Sequence, residues 1–286
     1  MHLSVLPRES LEYLAIRPEG RYLDATAGLG GHTALIAQGL TSGIVIASDR
    51  DAKSLELARE NTKAWADRIR YRHASFGELA DTVKWAGCGK LDGLLADLGV
   101  SRYQLTSPER GFSLMADGPL DMRMDQSKGM TAADLVNHSA ETELADLIYQ
   151  MGEERRARRI ARALVRARPI RSTRHLADVV ERAVPRTGRL HPATQTFMAL
   201  RMAVNDEPGE LERLLDRGPD LLQSAGRMVV ISFMSIDDRM VKHKFRELAA
   251  ERRARILTRH PVQPSEEESA TNAASRSAKL RAIEIE

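Results

Sequence analysis

Strand and helix patterns alternate through the first hundred residues, and this alternation constrains the fold more than any other feature of the sequence. Four short segments have strand character: Arg21–Ala25, Gly43–Ser48, Ile69–His73 and Leu91–Asp97. Three helical patterns lie between them: Thr33–Leu40, Ala52–Trp65 and Gly77–Trp85. Strands that alternate with helices are typical of βαβ units. We therefore predict an α/β fold with a doubly wound, Rossmann-like parallel sheet.

The alternation stops after the fourth strand. Residues 101–130 are polar and rich in Gly, Pro and Asp, a composition that indicates turns and loops. Five helical patterns follow: Thr131–Asn137, Glu141–Met151, Glu153–Arg168, Thr173–Val184 and His191–Asn205. A helix, a strand, another helix and a final strand come after them: Pro208–Leu222, Arg227–Phe233, Arg239–Glu251 and Lys279–Ile285. We therefore predict a core of residues 1–104 and 200–286, interrupted by an inserted, mostly helical domain of residues 105–199.

The composition excludes several classes of protein. No run approaches the roughly 18 consecutive apolar residues of a membrane-spanning helix, and the N-terminus lacks the basic start and apolar core of a signal peptide. The single Cys88 allows neither an intramolecular disulfide nor a cysteine-based zinc site. Aromatic residues make up only 4% of the chain, too few for a domain that stacks RNA bases on a sheet. We expect a cytoplasmic globular protein.

Positive charge is concentrated in one part of the chain. The formal net charge is +3, but residues 151–190 contain 12 Arg and 4 acidic residues, a local net of +8 that leaves −5 for the rest. A basic segment on an otherwise mildly acidic protein favours a polyanionic partner such as nucleic acid. A solvated arginine-rich helix is the alternative that charge alone leaves open.

A glycine-rich turn, DATAGLGGH, joins the first predicted strand to the first helix. Its glycines tolerate positive φ and let the backbone approach a ligand closely. Asp49 ends the next strand, 21 residues after Gly28, where a carboxylate can accept hydrogen bonds from both hydroxyls of a ribose. The spacing departs from G-x-G-x-x-G, and Asp24 would repel a pyrophosphate. The turn therefore favours a ligand with a cationic amine, as in S-adenosylmethionine, over a dinucleotide; a purely structural tight turn is the alternative.

A second acidic residue, Asp97, ends the fourth predicted strand. Ligands of open α/β sheets bind at the carboxyl ends of the strands, so Asp97 is expected to face the same crevice as the glycine turn, with Gln104 one short loop further. A carboxylate there can hold an amine that is about to be methylated and accept its proton. The alternative is that Asp97 only caps the following segment.

Taken together, these residues resemble the bacterial small-subunit ribosomal RNA cytosine N4-methyltransferases of the MraW type. The similarity runs nearly from end to end, and DGPLDMRMD is its most specific motif. The similar segments are His2–Leu6, Asp24–His32, Ser48–Asp51, Asp92–Ser101, Glu109–Ser113, Asp117–Asn137, Gly152–Ala163, His191–Glu207, Gly226–Phe233 and Ser277–Arg281.

The resemblance implies a Rossmann-like S-adenosylmethionine-dependent methyltransferase core with an inserted helical domain. It implies methylation of the exocyclic N4 amine of a cytidine in the decoding region of 16S ribosomal RNA, either as naked RNA or in the assembled small subunit. It implies no metal. The oligomeric state stays open, with a homodimer as one alternative. Two rival functions are a non-catalytic RNA binder on a degenerate methyltransferase fold and a nicotinamide-dependent dehydrogenase.

The resemblance also assigns site residues. It places the cofactor at Gly30, Gly31, His32, Asp49, Phe76, Asp97 and Gln104, with Asp97 as the catalytic residue as well. The chain departs from the family in two places: Arg102-Tyr103 stands where the family has Ser-Pro, and Met234 stands where it has His. A proton-shuttling role at position 234 is therefore not expected.

The basic segment has a helical pattern of its own. Arg155, Arg159, Arg162 and Arg166 step by four, three and four residues, and apolar residues fill the opposite face. We predict that this cationic face grips RNA phosphates without reading sequence. An exposed helix that pairs with acidic neighbours is the alternative, and in that case the RNA surface is expected near Arg239–Arg259.

Overall fold

The computed structural model describes residues 4–186, 188 and 190–286, so His2 and Leu3 of the first similar segment lie outside it. The chain divides into two compact units: a sheet unit of residues 1–99 and 208–286, and a helical unit of residues 100–207. The sequence placed these boundaries at 104/105 and 199/200. They fall elsewhere because Val100, Leu200 and Val204 all pack into the core of the helical unit.

A seven-stranded sheet organises the sheet unit. Its strands are β1 (Arg21–Asp24), β2 (Ile44–Asp49), β3 (Ile69–His73), β4 (Leu91–Asp97), β5 (Leu222–Ser232), β6 (Ala254–Ile256) and β7 (Lys279–Ile285). They lie in the order β3-β2-β1-β4-β5-β7-β6. Strands β1 to β5 are parallel, and β7 runs antiparallel between β5 and β6. The winding reverses between β1 and β4, and such a switch point is where open α/β sheets bind ligands.

The described residues contain thirteen α-helices. They are α1 (Pro7–Leu14), α2 (Gly31–Gln38), α3 (Ala52–Asn61), α4 (Leu79–Trp85), α5 (Arg102–Thr106), α6 (Ala132–His138), α7 (Glu141–Gly152), α8 (Ala157–Arg166), α9 (Thr173–Ala183), α10 (Thr194–Val204), α11 (Glu207–Leu221), α12 (Ser235–Ala250) and α13 (Glu266–Thr271). In the part of the chain that the structure describes, no helix is long and apolar enough to cross a membrane.

Alternating strand residues face opposite sides of the sheet, because side chains in a strand have a period of two. On one face Leu94 packs with α4, α11 and α12. On the other face its neighbour Leu95 packs with α1, α2 and α3. Helices therefore cover both faces, and the predicted doubly wound α/β fold is confirmed. A separate apolar core, formed by α6 to α10 and the loop before them, holds the helical unit together.

Two segments differ from the sequence prediction for identifiable reasons. The helix predicted over Glu153–Arg168 starts only at Ala157, because Glu153 has a positive φ of 52° and ends α7. Buried Glu154 then accepts hydrogen bonds from the backbone N–H and Nε of Arg156, which holds a turn in front of α8. Strand β5 begins at Leu222 rather than Arg227, with Ala225 at a positive φ of 61°.

Candidate active site

The strand order brings three carboxylates to one edge of the sheet. Asp24 ends β1, Asp49 ends β2 and Asp97 ends β4. Because β1 lies between β2 and β4, Asp24 is the central member, and the switch point lies between it and Asp97. The glycine turn follows directly from β1. Sequence residues that are up to 73 positions apart thus meet at the edge where this class of sheet binds ligands.

Asp24 is fully buried and holds the start of the turn. Its Oδ1 accepts the backbone N–H of Thr26 at 3.2 Å, and its Oδ2 accepts the hydroxyl of Thr33 on α2 at 2.6 Å. Burial raises the pKa of Asp24 to about 6, although the hydrogen bonds from Thr33 and Thr26 oppose that shift. The carboxylate therefore connects the end of β1 to α2 across the turn.

Asp49 holds the turn from the next strand. Its Oδ2 accepts the N–H of Gly28 at 2.7 Å, and its Oδ1 accepts the N–H of Asp51 at 2.8 Å. Burial raises the pKa of Asp49 to about 6, against the lowering effect of these two backbone donors. A carboxylate oxygen can accept more than one hydrogen bond, so each oxygen keeps capacity for a ligand hydroxyl.

The glycines of the turn have two different roles. Gly30 has a φ of 86°, and a Cβ there would lie 2.7 Å from Cγ2 of Thr62, so this glycine permits the close approach of α3 to the turn. Gly28 has a φ of 52°, and a Cβ there would meet nothing closer than the carbonyl of Thr26 at 3.8 Å. Gly31 is the first residue of α2, whose first backbone N–H groups point into the turn because a helix cannot satisfy them itself. The turn is thus closed towards α3 and open at Gly28.

His32 and Asp97 form a pair in which His32 is buried and the side chain of Asp97 is 23% exposed. Nε2 of His32 lies 2.9 Å from the carbonyl oxygen of Val5, which can only accept, so Nε2 carries the hydrogen. Nδ1 then faces Oδ2 of Asp97 at 3.7 Å with its lone pair. Two acceptors at this distance attract one another only when a proton lies between them. The two atoms are therefore neighbours without a direct hydrogen bond between them.

The second oxygen of Asp97 has a different environment. Oδ1 is buried and has no hydrogen-bond partner among the described residues. Burial raises the pKa of Asp97 to about 6, His32 opposes this shift and the charge of Asp24 adds to it. The backbone N–H of Asp97 donates to the hydroxyl of Thr26 at 2.6 Å. A buried acceptor without a donor is a place for a ligand group that carries a hydrogen.

Phe76 and Gln104 lie in different surroundings. Phe76 follows β3, is half-buried, and donates its N–H to Oε2 of Glu210 at 2.8 Å. Glu210 is held in turn by Arg213 at 2.7 Å. Gln104 belongs to the helical unit, where its Oε1 accepts the N–H of Ser101 at 2.9 Å and closes the N-terminus of α5. Its place beside the cofactor stays a prediction.

Sequence reasoning missed three residues that order the site. Thr26 and Thr33 tie Asp24 and Asp97 to the turn, and Glu210 positions Phe76. The two threonines lie inside or next to the glycine motif, so hydroxyls close to an acid in such a turn were an available signal. Glu210 is 134 residues from Phe76 and offered none.

The helical unit presents the predicted arginines on its surface. All four are exposed, but Arg155 lies in the turn before α8 rather than on the helix, which corrects the predicted four-residue stripe. Arg159, Arg162 and Arg166 share one face of α8. Arg162 lies 3.4 Å from Glu141, so the alternative of acidic pairing holds for this one residue.

The DGPLDMRMD motif is a structural loop of the helical unit. Asp121 binds the guanidinium of Arg123 through both oxygens, at 2.7 and 3.0 Å. Asn205 accepts the N–H of Met124 at 2.7 Å and donates to the carbonyl of Met122 at 2.7 Å. The carboxylate of Asp121 is thus engaged by an arginine. Among the described residues, no group of three His, Cys, Asp or Glu side chains is arranged to hold a metal ion.

Two aromatic rings of the helical unit flank one buried arginine. The guanidinium of Arg110 lies 5.8 Å from the ring centres of both Tyr103 and Phe112. It donates to the carbonyls of Arg123 and Met124 at 2.9 and 3.0 Å. Both rings thus have a packing role of their own.

Comparison with known proteins connects this geometry to a family. A sequence profile of the MraW methylase family matches residues 1–286. A protein named Ribosomal RNA small subunit methyltransferase H from Solibacter usitatus is 74% identical over 285 residues, covering 100% of both chains. A relative of the same name from Koribacter versatilis is 50% identical, covering 98% of this chain and 93% of its own. The structure of an rRNA methylase from Streptococcus thermophilus covers 100% of this chain and 99% of its own at 11% identity and a TM-score of 0.47, too distant to carry an argument.

The raised pKa values predict how stability depends on pH. Asp24 keeps its proton in the folded protein up to about pH 6 but loses it near pH 4 when unfolded, so the folded state binds more protons in this window. The free energy of unfolding should therefore fall as the pH rises from about 4 to about 6. Asp24→Asn should reduce this slope by up to about 1.4 kcal/mol per pH unit, measured by urea unfolding across the window. Asp67→Asn, at an exposed carboxylate of the same unit, should leave the slope unchanged; equal slopes for wild type and Asp24→Asn would contradict the assignment.

Proposed function

Because the chain belongs to the MraW methylase family, we propose that it transfers a methyl group from S-adenosylmethionine to the ribosomal RNA of the small subunit. Membership confirms the family expected from the sequence, the methyltransferase class and S-adenosylmethionine as the cofactor. The RNA substrate is inferred from the names of relatives that align over nearly their full lengths. The dehydrogenase alternative does not fit this membership.

The residues at the sheet edge fit S-adenosylmethionine. This cofactor carries a positive sulfonium and a positive amine, and the edge offers three carboxylates, of which Asp24 is fully buried. It also carries a ribose, and Asp49 has acceptor capacity at the end of β2. The opening at Gly28 leaves space for a ligand beside the backbone. The donor and acceptor set on this edge thus matches the groups that the cofactor presents.

We assign roles to this chain's residues accordingly. Asp49 accepts hydrogen bonds from the ribose hydroxyls while its existing bonds to Gly28 and Asp51 keep it oriented. The turn at Gly30 and Gly31 presents backbone groups to the methionine part of the cofactor, with His32 behind them. Phe76 packs beside the adenine, held by Glu210. Gln104 is assigned to the cofactor on the family resemblance alone. When bound, S-adenosylmethionine supplies an electrophilic methyl group on its sulfonium.

Asp97 carries the proposed chemistry. Its unpartnered Oδ1 accepts a hydrogen bond from the amine that is to be methylated, which keeps the nitrogen lone pair directed at the methyl carbon. As the N–C bond forms and the S–C bond breaks, the nitrogen becomes more acidic and its proton passes to Asp97. Nδ1 of His32 lies 3.7 Å from Oδ2 of the same carboxylate. Val5 fixes the ring so that this nitrogen and not Nε2 is the acceptor.

The finer target follows the resemblance to cytosine N4-methyltransferases. An exocyclic amine is a poor nucleophile because its lone pair is delocalised into the ring, so an acceptor such as Asp97 is required to localise it. This supports the N4 amine of a cytidine, and we propose one in the decoding region of 16S ribosomal RNA. A base held in a stack would have to swing out to reach Asp97.

The helical unit is the proposed grip on the RNA backbone. Arg159 and Arg166 lie exposed on one face of α8 and form no ion pair within the described residues. Residues 151–190 carry a local net charge of +8. Arginines on a helix face bind phosphates without reading sequence, which positions RNA for a reaction elsewhere.

The test of the proposed function is a methyl-transfer assay. The protein is incubated with labelled S-adenosylmethionine and small ribosomal subunits from a strain that lacks the endogenous enzyme, and the RNA is digested to nucleosides. We expect the label in N4-methylcytidine of 16S RNA. Label in another nucleoside overturns the cytidine assignment, and absence of label from both naked 16S RNA and subunits overturns the proposed substrate.

Asp49→Ala should weaken cofactor binding. It removes acceptors for two hydroxyls, and a hydrogen bond to a charged group contributes about 1.5–3 kcal/mol, so affinity by calorimetry should fall roughly tenfold or more. Asp67→Ala is the matched control, because Asp67 is an exposed carboxylate of the same unit beside Arg68. It should leave the dissociation constant unchanged. An Asp49→Ala protein that binds the cofactor normally would exclude this role.

Asp97→Asn should impair the methyl-transfer step. The amide keeps the size of the side chain but cannot accept the proton, so turnover at saturating cofactor should fall by about 10²–10⁴-fold while RNA affinity stays. Wild-type turnover should rise with pH through about 6, where Asp97 beside His32 and Asp24 loses its proton. Asp67→Asn serves as the control. If Asp97→Asn retains turnover, the carboxylate does not activate the amine.

Arg159→Gln combined with Arg166→Gln should weaken RNA binding. Each lost phosphate contact on single-stranded RNA reduces the slope of log affinity against log salt by about 0.7, so the loss of two contacts should flatten the slope by about 1.4. Lys63→Gln combined with Lys84→Gln removes the same charge from exposed positions of the sheet unit and should leave the slope unchanged. Cofactor affinity should not change in either protein. Superimposable curves for wild type and the arginine variant would mean that the helix face only contacts solvent.

A further inference from the structure

The sheet unit contains a cavity that takes no part in the proposed methyl-transfer chemistry. It has a volume of about 220 Å³ and lies between α12, the segment that follows β6, and β7. Phe245, which is buried, and Ile256 give it an apolar floor. The polar residues around this floor decide what it can bind.

Two buried donors face the cavity. Arg281 is only 7% exposed and binds Asp238 through Nε and Nη2, at 2.7 and 3.2 Å. Its Nη1 makes no hydrogen bond within the described residues, although the side chain lines the cavity. Thr258 is 5% exposed, and its hydroxyl oxygen accepts the N–H of Ala282 at 3.0 Å. That hydroxyl donates to no acceptor in the described part of the chain, so both groups keep a hydrogen for a ligand.

Three further cations surround these donors. Lys242 and Arg246 come from adjacent turns of α12, and Arg259 follows Thr258. None of the three forms an ion pair within the described residues, and no acidic side chain lines the cavity. With Arg281 neutralised by Asp238, the lining keeps three unbalanced positive charges. A site with several donors, net positive charge and no acceptor matches an anion with several oxygens.

The cavity lies at the same end of the sheet as Asp97. Arg281 pairs with Val230 of β5, and the next β5 residue, Ile231, pairs with Asp97 of β4. Two strand spacings, about 10 Å, therefore separate β7 from β4 at this edge. Arg281 lies on the face covered by α12, whereas Asp97 lies on the face covered by α2. An extended ligand that is bound in the cavity and crosses this edge would reach the vicinity of Asp97.

We propose that this cavity, built by Lys242, Arg246, Thr258, Arg259 and Arg281, binds a backbone phosphate of the substrate RNA. The proposal rests on the proposed RNA substrate and adds a second phosphate contact, on the sheet unit itself, to the one on α8. Its volume suits a phosphate with part of the adjoining sugar rather than a whole drug-sized ligand. Held there, the RNA backbone is fixed on the unit that carries Asp97.

The test compares RNA binding by two double variants. Lys242→Gln with Arg246→Gln keeps good helix formers on α12, so the fold should persist, which thermal unfolding verifies. Binding of a single-stranded RNA oligonucleotide at several salt concentrations should show a slope lower by about 1.4 for two lost contacts. Lys63→Gln with Lys84→Gln, the matched control outside the cavity, should follow the wild type. Cofactor affinity should be unchanged in both.

A further measurement distinguishes the binding of an RNA phosphate from the binding of free phosphate. Inorganic phosphate is titrated into wild type and into the Lys242→Gln, Arg246→Gln protein in the absence of RNA. Competition of phosphate with RNA in the wild type, lost in the variant, supports the proposal. If the wild type binds phosphate but the variant has an unchanged salt slope for RNA binding, the cavity is a site for free anions and the proposal is overturned. Equal salt slopes for the wild type and both double variants would also overturn it. These binding measurements need no methylation, so their outcome is independent of the methyl-transfer assay. If the RNA is methylated but the salt slope of RNA binding does not change, the phosphate site is excluded and the proposed function still holds.

Discussion

The buried carboxylate of Asp24 is the interaction on which the site depends. It lies at the centre of the sheet edge and binds both the turn, through Thr26, and the following helix, through Thr33. Thr26 in turn accepts the N–H of Asp97, so the end of β4 is held by the same turn. Asp49 completes the arrangement from β2 by binding Gly28. Asp24 and Asp49 together thus link three strand ends and one helix at this edge.

This arrangement places three carboxylates at one edge of the sheet, where burial disfavours their charged forms. Asp24, Asp49 and Asp97 each have a pKa raised to about 6, because burial disfavours the charged form of each. Near neutral pH the three are therefore charged at an energetic disadvantage. A cationic ligand relieves that disadvantage and binds the folded state alone, which stabilises it. The same property that weakens the free protein thus favours a positively charged cofactor over a pyrophosphate.

The two units use their charged residues differently. The sheet unit places three carboxylates at one edge, and three cations without an ion pair among the described residues lie around the cavity beside α12. The helical unit exposes arginines on α8 and uses others internally: Arg110 binds loop carbonyls, and Arg123 binds Asp121. Net charge by segment cannot separate these uses, because a buried arginine and an exposed one count equally. Exposure and partners decide which of them are available to phosphates.

The sequence by itself determined the fold class, through local periodicity, and the family, through motifs such as DGPLDMRMD. Strands β3, β4 and β7 fall at the predicted residues. The sequence also indicated that Asp49 and Asp97 belong at strand ends, because each closes a strand pattern at its carboxyl end. Tertiary structure alone decided the partners: Glu210 behind Phe76, Val5 behind His32, Asp97 facing His32, and Thr258 with Arg281 in one cavity. It also placed Arg155 in the turn before α8, because Glu153 has a positive φ and ends α7. These contacts join residues that are far apart in the chain or depend on one backbone angle, and neither leaves a periodic trace in the sequence.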